Sequence, residues 1–162
     1  MRLAVVMRRF SGWLIVNLLA TTCLAQRSFE SRILAAHNAV RVPLKLRALT
    51  WSDTLEAQAR DWAETLLAQD KFAHRPHSEY GENLFTMTGG GASVEQVIQA
   101  WAAEARDYDY RSNRCKKICG HYTQIVWRRT RKVGCAVARN PHREVWVCNY
   151  DPRGNYIGQR PY

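Results

Sequence analysis

The tightest constraint on this chain is a pair of cysteines in its last third. Val133, Cys135 and Val137 alternate with small residues, and Val145 and Val147 alternate with Trp146, Cys148 and Tyr150. A period of two is the strand pattern, and Asn140-Pro141-His142-Arg143 between the two runs is turn chemistry. An antiparallel hairpin that pairs Asn140 with Arg143 also sets Cys135 opposite Cys148. Directly opposed residues at a non-hydrogen-bonded site lie roughly 4.5 Å apart at Cα, the near edge of the range a disulfide bridges. The register therefore favours Cys135–Cys148 and leaves Cys115–Cys119 as a small loop, although four cysteines alone allow three pairings.

Upstream the period is helical. Ser28 can cap a helix to about Arg41, with Phe29, Ile33, Ala36 and Val40 on one face and Pro43 ending it. A second helix starts near Ser52-Asp53, with Glu56 placed to close a capping box on Asp53. Leu55, Ala59, Trp62, Ala63 and Leu66 form its buried face. A third opens on a Ser93/Gln96 capping box and buries Val94, Val97, Ile98, Trp101 and Ala105. Ala73 to Phe85 reads as loop with a short strand at its end. Gly89-Gly90-Gly91 is a connector.

Arg2, Arg8 and Arg9 precede an apolar run from Phe10 to Ala20, which ends at Thr21-Thr22-Cys23-Leu24-Ala25. This is the layout of a secretory signal cut after Ala25, giving a leader over 1–25 and one domain over 26–162. The run is too short to span a bilayer comfortably. A lipoprotein acylated at Cys23 fits less well, because Thr22 precedes it, and Arg8-Arg9 is a faint twin-arginine hint. The formal charge of +10 falls to +7 once the three leader arginines go. The four remaining cysteines are an even set, as two disulfides in an exported chain require. With 46% apolar and 23% charged residues, the chain is neither disordered nor fibrous. The basic run Arg128, Arg129, Arg131, Lys132 reads, in an exported protein, as a solvated face or an attraction to anionic envelopes and lipids, not to nucleic acid.

Polar residues in apolar stripes carry the functional signal. Glu104 lies about 20° from Val97 and about 60° from Trp101 on a helical wheel. A carboxylate there is costly unless paired, ligated or facing a cleft; the alternative is a helix end that has already reached solvent. His37 sits in the stripe of the first helix, where a buried histidine bonded to backbone is the favoured reading. The loop to Asn83 holds His74, His77, Glu79 and Glu82, residue types suited to a metal or to acid–base work, in no standard zinc spacing. His121 opens a short helix after Gly120 and could join them. There is no phosphate-cradling glycine loop and no nucleophile elbow, and the cysteines are assigned to disulfides.

These motifs together resemble a family. Gly120-His121-Tyr122-Thr123-Gln124-Ile125-Val126-Trp127 resembles one signature of the CAP superfamily (cysteine-rich secretory, antigen 5 and pathogenesis-related 1 proteins). The tail Cys148 to Tyr162 resembles a second signature in its pathogenesis-related protein 1 form. His37-Asn38 with Arg41, Leu49-x-Trp51 and Gly81-Glu82-Asn83-Leu84 fall in the same order. The resemblance implies an α+β fold, a three-layer α–β–α sandwich around a small antiparallel sheet. It also implies a cleft lined by His77, Glu82, Glu104 and His121, with Asn38 and Gln124 as neighbours, and it prefers His77 to His74. Both cysteine pairs match the family's. Its plant members carry six cysteines, so the missing third bridge points to a bacterial or otherwise divergent member.

Two imidazoles and two carboxylates can hold a divalent ion, zinc being favoured by nitrogen and magnesium by oxygen. One expectation is therefore a metal-dependent hydrolase or protease. The expectation adopted is a secreted or periplasmic, non-enzymatic, monomeric protein that binds sterol, fatty acid or anionic envelope lipid in defence or host–microbe interaction. A third is a precursor releasing Pro152–Tyr162 as a signalling peptide.

Overall fold

A computed structural model describes residues 29–162. The expected leader and the Ser28 cap lie outside the described residues. Helix α1 spans 29–41 and passes into a single 3₁₀ turn, Val42–Leu44, where Pro43 occupies a position that needs no N–H donor. Strand β1 (Thr50–Trp51) leads into α2 (Asp53–Ala68). The cap of α2 is Ser52, whose hydroxyl accepts from Leu55 N, so the cap lies one residue before the expected Asp53, which is instead the first helical residue. Strand β2 is Gly81–Thr88, eight residues and not the short strand expected. Helix α3 (Val94–Ala102) has the Ser93/Gln96 capping box in both directions. It tightens into a 3₁₀ turn, Ala103–Asp107, and Ala105 is therefore exposed rather than on the inner face. A small ribbon, β3 (Tyr108–Asp109) and β4 (Arg114–Cys115), precedes α4 (Gly120–Ile125) and the hairpin β5 (Lys132–Arg139) and β6 (Arg143–Asp151).

The main sheet has the order β1-β5-β6-β2 and is antiparallel except for the two-residue β1, which runs parallel to β5. Cys135 faces Cys148 in the register read from the sequence, 4.1 Å apart at Cα, and the pair is bridged; Cys115 and Cys119 form the other disulfide.

Side chains of β5 and β6 point to opposite faces in turn, and both faces are covered. Val133, Cys135, Trp146, Cys148 and Tyr150 pack with Ile33 of α1, Val97, Ile98 and Trp101 of α3 and Ile125 of α4. Ala136, Ala138, Val145 and Val147 pack with Ala59, Ala63 and Leu66 of α2. That makes three layers, and it explains why β6 is buried from Glu144 to Tyr150 without a wet face. Gly134 lets α2 sit down on the sheet: a Cβ there would collide with the backbone of Ser52, Leu55 and Glu56.

His37 is a core residue. Its Nδ1–H donates to Ile33 O at 2.8 Å, and Nε2 accepts from the Tyr150 hydroxyl at 2.9 Å. Asn83 Nδ2 donates in turn to that hydroxyl and to the carbonyl of His121, at 3.2 and 3.1 Å. Both ring nitrogens are committed, and burial, outweighing the Ile33 bond, lowers His37 to about 4. The unfolded chain then takes up this proton first. The contribution is complete above the ordinary histidine value and is lost as pH falls towards 4. About 3 kcal/mol of stability should disappear across that window. Urea unfolding from pH 7 to pH 4 should show the loss in the wild type and a shallower slope in His37→Gln; parallel slopes would refute it.

The tail 152–162 has neither helix nor strand and is tied back along its length. Pro152 O accepts from Thr130 Oγ1 at 2.8 Å, and Gly154 N donates to Gln124 Oε1 at 2.9 Å. Asn155 bonds Gly120 O and Thr123 Oγ1 at 2.8 and 2.7 Å. Pro161 O accepts from Arg128 N at 2.6 Å, and the hydroxyls of Tyr162 and Tyr122 meet at 3.1 Å.

Candidate functional site

Two histidine–glutamate pairs form, one where the turn after α3 meets the start of α4 and one where the loop after α2 lies against β2. His121 is the second residue of α4, whose first turn leaves backbone N–H groups without helical partners. Glu104 supplies the acceptors: Oε2 takes His121 N at 2.9 Å and Tyr122 N at 3.2 Å, while Oε1 takes His121 Nδ1 at 2.6 Å. The 3₁₀ turn gives this carboxylate its position. Trp101 stacks on the His121 ring, centroids 5.9 Å apart, and is itself fixed by Nε1 donating to Leu84 O.

The second pair joins Glu82 to His74, and His77, the histidine expected in the cleft, is not part of it. Glu82 Oε1 accepts from His74 Nδ1 at 2.7 Å and from Arg75 N at 3.1 Å. The start of the loop therefore lies against the strand. His77 sits further on, at a left-handed turn with φ 56°, and is exposed with no hydrogen bond or ion pair among the described residues. The Glu82 carboxylate at its ring raises His74 above the ordinary histidine value, against the smaller effect of burial. Glu82 is only 5% exposed at its side chain, and its Oε2 is buried without a partner. Glu79 is exposed beside Tyr80.

Asn83 lies between the two pairs, next to Glu82 and bonded to His121 O. A cleft of about 450 Å³ opens beside Glu82, walled by Tyr80, Gln124 and the tail from Arg153 to Ile157. Gln124 is thus a neighbour, as expected; Gly81 leaves it room that a Cβ would fill. Asn38 is not a neighbour of this kind. It braces the Leu49 backbone through both amide atoms, at 3.2 and 2.8 Å.

Among the described residues, donor atoms of three or more His, Cys, Asp or Glu come within 4.8 Å of one another only at His37, Cys135 and Cys148. Those sulfurs are in a disulfide and both nitrogens of His37 are hydrogen-bonded, so no ion fits there. The expected quartet of His77, Glu82, Glu104 and His121 is not drawn to one point; His121–Glu104 is a pair, and Glu82 has His74. No three donors of the two pairs converge, so what suits a divalent cation is the chemistry of each pair taken singly. In each pair Nδ1–H goes to a carboxylate, which leaves the Nε2 lone pair, and Glu82 Oε2 adds an unclaimed buried oxygen.

Arg41, which entered the sequence reading only as a motif residue, and Glu144, which did not enter it, hold this end and the sheet. Arg41 is buried, with its guanidinium on four carbonyl groups. The signal was its spacing, four after His37 in the inward stripe. Glu144 is 1% exposed and accepts from Ala92 N, Trp146 Nε1 and Arg139 Nε. Burial pushes its carboxyl up, but these donors outweigh it and hold the group below the usual value. Its signal was the opposite charge of Arg139 directly across the hairpin.

The family model of the cysteine-rich secretory protein family, CAP, matches residues 34–150. The chain is 40% identical over 155 residues to Pathogenesis-related protein 1A of Nicotiana tabacum, covering 94% of this chain and 91% of that one. Among solved structures it resembles venom allergen-like protein 4 of Schistosoma mansoni, with TM-score 0.70 and 24% identity over 82% of this chain and 92% of that one. It also resembles a structure described as NaASP2 with Zn2+, with TM-score 0.68 and 23% identity over 83% and 84% of the two chains. The fold, the hairpin disulfide and these matches agree: the chain belongs to the cysteine-rich secretory protein (CAP) family, as a pathogenesis-related protein 1-like member.

Proposed function

We propose an exported protein that acts by binding and not by turnover, holding a divalent ion, Zn²⁺ ahead of Mg²⁺, in the His/Glu cleft. Its partners are sterol, fatty acid or anionic envelope lipid, in defence or host–microbe contact. The observation that carries this reading is that each glutamate braces a histidine through Nδ1. Such bracing fixes the tautomer and raises the ligand strength of Nε2. Glu104 also caps α4, so neither of its oxygens is free to serve as a general base. Two histidine nitrogens favour zinc over magnesium. A bound ion would give the cleft a positive centre for an anionic or carbonyl group. NaASP2 described with Zn2+ on a similar fold supports the ion. Export is supported by two disulfides, which persist in oxidising compartments. Lipid contact is supported by the basic balance and by exposed Ile118 and Ile157, and no described helix is long and apolar enough to cross a membrane.

Calorimetric zinc titration tests the cleft. His121→Ala and His74→Ala should each abolish or strongly weaken uptake, and Glu104→Gln should weaken it roughly 10- to 100-fold. Unchanged affinity in His121→Ala would remove the ion from this site. Failure of the purified protein to take up sterols or fatty acids under any condition would remove the lipid partner.

A further inference from the structure

A second cleft, of about 370 Å³, opens away from the His/Glu pairs, where the β3–β4 ribbon, the loop after α4 and the tail meet. Its wall includes Tyr110, Trp127, Arg128, Arg129, Arg160 and Tyr162, with no acidic and no branched aliphatic side chain. Arg160 is held in place by Nε and Nη2 donating to the carbonyls of Tyr110 and Arg111, at 3.2 and 3.0 Å. Arg128 is anchored through its backbone to Pro161. No carboxylate pairs with Arg128, Arg129 or Arg160 among the described residues, and the first two are exposed. Tyr110 and Tyr162 stack at 4.9 Å, and Tyr110 is 44% exposed.

Three guanidinium groups without a carboxylate partner in a concave site concentrate anions, and the forked donors of Arg128 and Arg129 match the two oxygens of a carboxylate, while Arg160, its Nε and Nη2 held by backbone, adds its charge. Rigid aromatic side chains add apolar contact area at low entropic cost. The apolar contact here is confined to aromatic rings and Pro161, which suit the flat face of a sugar better than a flexible acyl chain, and the cleft is a single pocket, not a track for a nucleic-acid backbone. We infer that this cleft binds acidic polysaccharide, with uronate carboxylates on Arg128, Arg129 and Arg160 and sugar faces against the tyrosines. The inference rests on the export reading only for where such a polymer would be met.

The test is calorimetry of the purified protein with a short oligogalacturonide and with its methyl ester, which keeps the rings and removes the charge. The acid should bind at least tenfold more tightly than the ester, less tightly as salt rises, and at least tenfold more weakly to Arg128→Gln/Arg129→Gln. That variant should keep the wild-type melting temperature and zinc titration. Equal binding of acid and ester, equal binding by the variant, or no binding overturns the proposal. So does Arg128/Arg129-dependent capture by phosphatidylserine vesicles without oligogalacturonide binding, which would give the cleft to lipid. Loss of zinc or sterol uptake with oligogalacturonide binding intact would count only against the reading of the His/Glu cleft.

Discussion

Arg41→Met should destabilise the protein by at least about 4 kcal/mol, enough to leave little folded material on warming. The guanidinium donates to the carbonyls of Arg47, Ile125, Trp127 and Thr130, at 2.9, 2.6, 3.0 and 3.3 Å. It ties the end of α1 to the chain that leaves α4. Burial, with the nearby Arg131 cation, lowers its pKa to about 10, which leaves it charged at neutral pH. Hydrogen bonds from a charged donor contribute about 1.5–3 kcal/mol each, and methionine would leave these buried acceptors with nothing. Replacing a buried ion pair by apolar residues can be harmless because both charges go; backbone carbonyls cannot be removed that way. Arg41→Lys keeps the charge but loses the fork, and should recover less than half of the deficit. Urea titration reads the result. A midpoint for Arg41→Met equal to the wild type would show that the carbonyls find other donors.

Cys135→Ala/Cys148→Ala should cost roughly 3 kcal/mol in chain entropy, for a loop of sequence separation 13, and lower the melting temperature by on the order of 10 °C. Both sulfurs lie in the core at 0% exposure, so lost packing adds to the entropic loss. The other bridge closes a loop of separation 4 and has Cys115 on the surface, so its removal should cost about 2 kcal/mol or less. Thermal melts of the two double variants check the order. Equal melting temperatures for the wild type and the Cys135→Ala/Cys148→Ala form would sink the argument.

The hairpin was legible because strand period, turn residues and cysteine spacing all constrain one register, and a slip would part the two cysteines and turn each side chain to the wrong helical layer. The Ser93 cap was legible for a similar reason, since Gln96 answers it three residues later. At Ser52-Asp53 two good capping residues are adjacent, and the order in the chain does not say which one turns first. The length of β2 was hidden because Phe85, Thr86 and Met87 alternate only weakly, and their partners on β6 are distant in sequence. Glu104 stood out on the wheel, but its partner His121 lies across a disulfide loop and entered through the family signature. The choice of His74 over His77 depends on where the loop turns left-handed, which composition does not encode.

The tail bears on any cut after Asp151. Severing one peptide bond would leave residues 152–162 fastened by contacts to Gln124, Thr130, Gly120, Thr123, Arg128 and Tyr122. The products of cleavage would then be a two-chain complex, and the fragment would leave at a rate set by its own dissociation. Its departure would also strip one wall from each of the two clefts. A protease acting there would start a slow release, and the two clefts would open as the fragment left rather than when the bond was cut.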